Sequence, residues 1–84
     1  MRHFASVEFW LAYGRLPDPV RAIADKNFAL LTAAPRHPSL QFKKVDRFWS
    51  VRAGLRYRAL ATEVDGGFLW FWIGSHADYD RIIS

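Results

Sequence analysis

Residues 40–83 decide the fold of this chain: LQFKKVDRFWSVRAGLRYRALATEVDGGFLWFWIGSHADYDRII. Apolar and polar side chains alternate along much of this stretch, which is the pattern of strands with one buried face. Asp46-Arg47, Ala53-Gly54 and Asp65-Gly66-Gly67 interrupt the alternation and are typical of turns. The stretch therefore predicts consecutive strands, rich in Arg, Lys and Trp, that form one small antiparallel sheet.

Two long strands and a helical turn end this stretch. Residues 55–64 predict one strand, and residues 68–74 are mostly apolar and aromatic, as expected for a strand covered on both faces. Ser75 is a suitable N-cap for a short helical turn over residues 76–83.

The first half of the chain predicts helical support for one face of the sheet. Ser6 is a suitable N-cap for a helix that ends near Arg15. Phe9, Trp10 and Tyr13 lie at helical spacing in this helix, so we expect them in the core. Residues 2–5, which precede it, predict either an edge strand or a frayed terminus.

A second helix is expected over residues 19–33. Pro19 suits its first position, Asp18 its N-cap and Pro35 its end. Its buried face is predicted to contain Val20, Ile23, Ala24, Asn27 and Leu31. Because the link between the two helices is short, they should form an antiparallel hairpin. The sequence thus predicts one α+β domain over residues 1–84: a helical hairpin packed on a small antiparallel sheet, with a short C-terminal helical turn.

Composition limits the classes of function. Apolar residues make up 51% of the 84 residues, which is enough for a packed core. The chain has no cysteine, so it offers neither a disulfide framework nor a thiolate metal site, and it fits a reducing cytoplasm. No spacing of His, Asp and Glu predicts a metal site, and we expect no cofactor. The longest apolar run, residues 68–73, is too short to cross a membrane.

The positive charge is concentrated in the middle of the chain. Residues 36–58 contain seven basic residues and one acid, which gives +6, whereas the whole chain carries +4. Such a local excess indicates an anionic partner, either nucleic acid or an acidic protein, or else a solvated basic face. Within it, Arg56 and Arg58 should point to one face of their strand, with Arg52 across the hairpin. Like charges this close are unfavourable unless an anion such as phosphate lies between them.

The ordered combination of these segments resembles the RelE/ParE superfamily of bacterial toxins. It comprises a helical hairpin, a strand with lysine, WSVR-x-G-x-x-YRAL, an acid-glycine turn, an apolar strand ending in IGSH, and a closing DYDRI. The resemblance spans nearly the whole chain and implies helices on one face of a small antiparallel sheet. It also implies a cognate acidic antitoxin as partner, in a hetero-oligomer of toxin and antitoxin.

The resemblance implies two different activities. Members similar to RelE cut messenger RNA in the ribosomal decoding site, and members similar to ParE poison DNA gyrase. The first activity is the one we expect here: ribosome-dependent, metal-free cleavage of an RNA phosphodiester. A gyrase inhibitor, or a member that only binds its antitoxin or RNA, remains an alternative.

The resemblance also implies a set of site residues. His76 matches the position of a general acid or base, which suits a side chain that titrates near neutrality. Arg58 and Arg52 match cations that brace the charged phosphorus, and Tyr79 is expected to stack on a base or to help a proton transfer. The residues expected to position the RNA backbone are Lys43, Lys44, Arg47 and Arg56.

Each of these assignments has a structural alternative. A histidine after a strand is often a capping or packing residue, and Asp78 and Asp80 near His76 either orient it or are only solvated helix acids. Trp70 and Trp72 are further candidates for stacking on bases, although at least one of them is expected in the core.

Overall fold

One sheet runs through the molecule. In a computed structural model, which describes residues 2–84, the elements are β1 (Arg2–Ala5), α1 (Val7–Gly14), α2 (Asp18–Ala33), a 3-10 turn (Pro38–Leu40), β2 (Lys43–Val45), β3 (Phe48–Arg52), β4 (Tyr57–Val64), β5 (Gly67–Ser75) and α3 (His76–Ile83). The strands lie in the order β1-β5-β4-β3-β2. The predicted α+β architecture is confirmed.

The sheet is mixed, not antiparallel throughout. Strands β2 to β5 pair antiparallel with their neighbours in sequence, as the turn signals predict. Strand β1, however, is an ordered edge strand that pairs parallel with β5, from Arg2 opposite Gly67 to Ala5 opposite Trp70. Parallel neighbours require a long crossover, and here both N-terminal helices and β2 to β4 lie between β1 and β5 in the chain. The turn signals describe local hairpins only, so they do not reveal this long-range pair.

The helix ends follow the capping signals with one exception. The Ser6 hydroxyl accepts a hydrogen bond from the Phe9 N–H, 3.2 Å, and the Ser75 hydroxyl accepts one from the Asp78 N–H, 3.1 Å. Asp18 is not the N-cap of α2 but its first residue, and its carboxylate pairs with Arg21 on the next turn. An acid in the first turn still stabilises the helix through its dipole.

The core lies between the two N-terminal helices and the sheet. It is formed by Leu16, Ala24, Leu31, Leu40, Val51, Ala53, Ala59, Ala61, Phe68, Trp70 and Ile73. The expectation that Trp10 is a core residue is wrong, because its side chain is 56% exposed. In α1, Phe9 and Tyr13 pack against the core, and Trp10 is rotated about 100° from Phe9 around the helix axis. The Tyr13 hydroxyl donates to Asp25, 2.7 Å, which links α1 to α2.

His3 on β1 is part of the packing, a role that the sequence does not reveal. Its ring stacks near Phe68 and Trp70, and its Nδ1 accepts a hydrogen bond from the Trp70 indole N–H, 3.0 Å. Burial lowers the pKa of His3 below its usual value of 6.5. The neutral ring is therefore the form that the fold favours.

Acid is expected to weaken the fold through His3. A histidine whose pKa is lower in the folded state contributes stability above pH 6.5, and this contribution is lost as the pH falls through the lowered pKa. Urea unfolding at pH 7.5 and pH 5 should show a larger loss of unfolding free energy for the wild type than for a His3→Gln variant. His37, an exposed loop residue, provides the control substitution His37→Gln. Equal losses in wild type and His3→Gln would contradict the assignment.

The close approach of β1 to β5 requires glycine at position 67. A Cβ there would overlap the carbonyl oxygen of Arg2, which belongs to the backbone and cannot turn away. Gly67→Ala is expected to lower the unfolding free energy by about 1–3 kcal/mol, since overpacking forces a backbone shift. Gly14→Ala is the control, because no atom lies within 4 Å of the added methyl group. Thermal melts in which both variants match the wild type would show that β1 can shift to make room for the methyl group without loss of stability.

No helix within residues 2–84 has the length and apolar content needed to cross a membrane.

Candidate functional site

The candidate site lies on the face of the sheet opposite α1 and α2, here called the open face. Side chains alternate between the two faces along a strand, and Val51 and Ala59 pack in the helix-side core. Their neighbours therefore point to the open face, where Arg52 lies opposite Arg58 in the pairing of β3 with β4. Helix α3 follows β5 and contacts β4 and β5. Arg52 and Arg58 of the sheet and His76 and Tyr79 of α3 form a cluster at this end of the sheet.

Arg58 is the buried centre of the cluster. It is 3% exposed, and its Nε donates a 2.7 Å hydrogen bond to the hydroxyl of Ser50 on β3. Its two terminal nitrogens donate to the side-chain and backbone oxygens of Gln41, at 3.3 and 3.1 Å. Gln41 adopts a left-handed backbone conformation, φ 46°, just before β2. The Arg58 guanidinium thus ties β4 to β3 and to the segment before β2.

Tyr79 of α3 covers the same guanidinium. The Arg58 Cζ lies 5.2 Å from the centroid of the Tyr79 ring, and Tyr79 is 5% exposed. Burial lowers the pKa of Arg58; the contact with Tyr79 opposes this shift, and repulsion from the nearby Arg52 guanidinium adds to it. Within residues 2–84, no carboxylate forms a salt bridge with Arg58. A buried cation without a carboxylate is uncommon, and it leaves this cluster positively charged.

Arg52 is positioned through its backbone. Its carbonyl oxygen accepts a 3.0 Å hydrogen bond from the side-chain amide of Asn27 on α2, which holds the end of β3 against the helices. Its guanidinium forms no salt bridge with an acid of the described chain. Arg52 is half-buried, so its side chain is more accessible to an anion than that of Arg58.

His76 is the first residue of α3 and lies beside Tyr79. The ring centroids of the two residues are 5.3 Å apart in an edge-to-face arrangement. His76 Nδ1 lies 3.3 Å from an Asp80 carboxylate oxygen one turn later, and the His76 side chain is 51% exposed. A proton on Nδ1 that is shared with Asp80 leaves the lone pair on Nε2. This geometry matches a proton acceptor that a carboxylate orients.

The strand that contains Arg58 begins later than the sequence predicts. Strand β4 starts at Tyr57, so Arg56 lies in the turn before it and does not stand beside Arg58 along one strand. The reason is that the connection between β3 and β4 extends from Ala53 through Arg56, longer than Ala53-Gly54 alone. Arg56 still lies at the site, because its carbonyl oxygen accepts a 2.7 Å hydrogen bond from the His76 N–H.

The remaining predicted residues are more dispersed. Lys43 lies opposite Ser50 and therefore on the open face, whereas Lys44 lies opposite Trp49 and alternates to the other face. Arg47 lies in the turn between β2 and β3, with its guanidinium 5.2 Å from the centroid of the Phe48 ring. The structure thus brings together Arg52, Arg56, Arg58, His76 and Tyr79, with Lys43 on the same face.

Two residues that the sequence did not single out complete the cluster. The alternation of Ser50 with Trp49 and Val51 correctly assigns Ser50 to the open face. It also predicts that Ser50 is exposed to solvent, whereas the residue is 0% exposed. Its hydroxyl is covered by the Arg58 guanidinium of the neighbouring strand, over which Tyr79 of α3 lies. Gln41 gave no signal, because a left-handed conformation at a residue other than glycine follows no local rule.

No group of three His, Asp or Glu side chains among residues 2–84 is arranged to hold a metal ion.

Solved structures with the same fold come from bacteria and an archaeon. The match to the RelB-RelE antitoxin–toxin complex of Methanococcus jannaschii has a TM-score of 0.73 at 10% sequence identity, covering 96% of this chain and 99% of that chain. The isolated RelE toxin of E. coli matches with a TM-score of 0.62 at 13% identity, covering 98% and 97%. A copper-bound mutant toxin of Helicobacter pylori matches with a TM-score of 0.61 at 15% identity, covering 93% and 97%.

No protein-family model matches this chain, and the comparison with curated proteins gives no significant match. The structural likenesses extend over nearly the full length of both partners, at identities too low to indicate more than architecture. They establish that the chain has the RelE-like fold.

Proposed function

We propose that this chain, which has the RelE-like fold, is the toxin of a toxin–antitoxin pair and cuts messenger RNA on the ribosome without a metal ion. One observation carries the proposal. Arg52 and Arg58 lie opposite each other on neighbouring strands, with no carboxylate of residues 2–84 in salt-bridge contact, beside a histidine that a carboxylate orients. A phosphate would neutralise this pair of cations, and the histidine supplies the proton transfer that RNA cleavage requires.

The proposed reaction is attack of a ribose 2′-oxygen on the adjacent phosphorus, which breaks the bond from phosphorus to the 5′-oxygen of the next nucleotide; the 2′-hydroxyl gives up a proton and the leaving 5′-oxygen takes one up. His76 acts as general base or general acid through Nε2, and Arg52 stabilises the negative charge that develops on the phosphate oxygens. Arg58 is too buried to make much direct contact with the substrate. Its role is to add positive charge beneath the phosphate and to hold Tyr79 in place. The backbone of the RNA is held by Arg56, Lys43 and Arg47, whereas Lys44, on the other face of the sheet, takes no part.

The proposed partner of the free protein is an acidic antitoxin. The M. jannaschii neighbour is itself a complex of a toxin with its antitoxin, and here the basic open face offers a complementary surface. Such a pair acts in the cytoplasm, where the translating ribosomes are. The complex should dissociate as the salt concentration rises, because the attraction between charged surfaces is screened. Salt-independent binding would argue against an electrostatic contact.

The proposal is tested by mapping the 5′ ends of messages after induced expression in a bacterial host. We expect new ends at a fixed place within codons of translated messages, and none on a matched message without a start codon. Inserting one nucleotide after the start codon should move the cuts with the reading frame, which free RNA cleavage would not do. An Arg52→Ala variant should abolish the cuts while retaining the melting temperature.

Other outcomes identify the alternatives. Growth arrest with intact messages and broken DNA would indicate an inhibitor of gyrase. No arrest and no cuts would leave a binding protein with this fold and would overturn the proposed activity.

A further inference from the structure

Three aromatic rings and one arginine lie on the open face outside the cluster of Arg58. They are Trp72 and Phe71 of β5, Phe48 of β3 and Arg47 in the turn before it, here called the aromatic track. The Phe48 and Phe71 ring centroids are 5.2 Å apart, although their strands are separated by β4. The two side chains therefore meet above β4.

A bulge in β5 places two consecutive aromatic residues on this face. Trp70 lies opposite Ala61 and Trp72 lies opposite Leu60, so Phe71 is an extra residue between paired positions. Trp70 points to the helix side, where it bonds to His3. In a regular strand, Phe71 would face the open face and Trp72 would face the core. Because of the bulge, Trp72 faces the open face as well.

Gly74 brings the track next to the arginine cluster. A Cβ at Gly74 would overlap the six-membered ring of Trp72, so that ring lies against the strand at this position. Gly74 is opposite Arg58 in the sheet. The track therefore starts beside the proposed cleavage site and continues through Phe71 and Phe48 to Arg47.

The far end of the track is cationic as well as aromatic. The guanidinium of Arg47 lies over the Phe48 ring, with 5.2 Å between its Cζ and the ring centroid. Phe48 and Arg52 are four residues apart on β3, which corresponds to ~13 Å along the strand. All three rings are half-buried, so each retains accessible surface. If the rings only covered Leu60 beneath them, aliphatic side chains would suffice, and neither the bulge nor the overlying arginine would be needed.

We propose that the aromatic track binds the unpaired bases of single-stranded RNA next to the bond that is cut. Proteins hold single-stranded RNA by stacking its bases on aromatic rings and on arginine planes, and a basic groove follows the backbone. Every base has a face that can stack, so the aromatic track should bind RNA with little sequence preference. This inference rests on the proposed function and adds to it the part of the surface that holds the substrate.

The test compares single-turnover cleavage of a message on programmed ribosomes over a range of toxin concentrations. The variant is Phe48→Leu/Phe71→Leu, which keeps apolar cover over the sheet and removes both ring faces. The matched control is Phe28→Leu on α2, where the ring is 49% exposed and lies on the helix side of the sheet, away from the open face. Melting temperatures show whether all three proteins are folded.

Loss of stacking should act on binding and not on chemistry. The double variant should need about tenfold more protein, or more, for half-saturation, with an unchanged rate at saturation, and Phe28→Leu should match the wild type. A folded double variant that saturates at the wild-type concentration would overturn the aromatic track and leave the nuclease in place. A wild-type protein that leaves the programmed message intact would overturn both proposals.

Discussion

Replacing His76 with alanine is expected to slow message cleavage by about 10²–10⁴-fold, the usual contribution of a positioned general acid or base. The imidazole ring is half-exposed, and its Nδ1 faces Asp80. Its removal therefore leaves no buried group unsatisfied. The loss should appear in the rate at saturating toxin, because the arginines proposed to bind phosphate remain.

Two controls separate catalysis from folding in this prediction. His37→Ala removes the other exposed histidine, whose Nδ1 lies within hydrogen-bond distance of the Ser39 N–H and hydroxyl, and it should cut at the wild-type rate. Asp80→Asn should keep the histidine but orient it less well, which gives a smaller loss than His76→Ala. A folded His76→Ala protein with full cleavage would remove His76 from the mechanism and leave the arginines as the site.

Replacing Arg58 with methionine is expected to lower the unfolding free energy by about 2–4 kcal/mol. Methionine fills similar space but leaves the buried Ser50 hydroxyl without its donor, which costs about 1–3 kcal/mol. The two bonds to Gln41 are lost as well, although water can replace them at this exposed residue. The contact that holds Tyr79 of α3 over the sheet is also lost. Desolvation of the guanidinium, which its lowered pKa reflects, offsets part of this loss.

Arg56→Met is the matched control for Arg58. It removes the same side chain two residues earlier, where the arginine is exposed in a turn, and it should change the unfolding free energy by no more than about 0.5 kcal/mol. Urea unfolding of the two variants measures the difference directly. Equal stability of Arg58→Met and the wild type would show that the buried charge costs as much as its hydrogen bonds contribute, and that its role is in binding.

The parts of the fold that follow local rules could be predicted from the sequence. Serine caps, the Asp-Gly turn and the alternation of residues locate α1, α3 and the hairpins, and the family resemblance marks Arg52 and His76 as candidate site residues. The parallel pairing of β1 escaped prediction because its partner is at the other end of the chain. The burial of Arg58 could not be predicted for a related reason. The residues that cover it, Ser50, Gln41 and Tyr79, come from three separate segments of the chain.

Trp10 shows the limit of a periodicity argument. A short helix in which apolar residues lie on every side gives no unique inward direction, so Phe9 and Trp10 are equivalent in the sequence. Only the contact of α1 with β5 decides that Trp10 faces outward.

The parallel edge strand has a consequence for how the protein forms during synthesis. Strand β1 is made first, yet its hydrogen-bonding partner is residues 67–70 of β5, and contacts between such distant segments form late because of the entropy of closing the loop. A nascent chain can form α1, α2 and the β2 to β4 hairpins, whereas β1 stays unpaired until β5 leaves the ribosome. The end of β5 bears Gly74 opposite Arg58 and leads directly into His76. Completion of the sheet and assembly of the proposed site are therefore late, coupled steps, and a nascent chain that ends before α3 lacks His76 altogether.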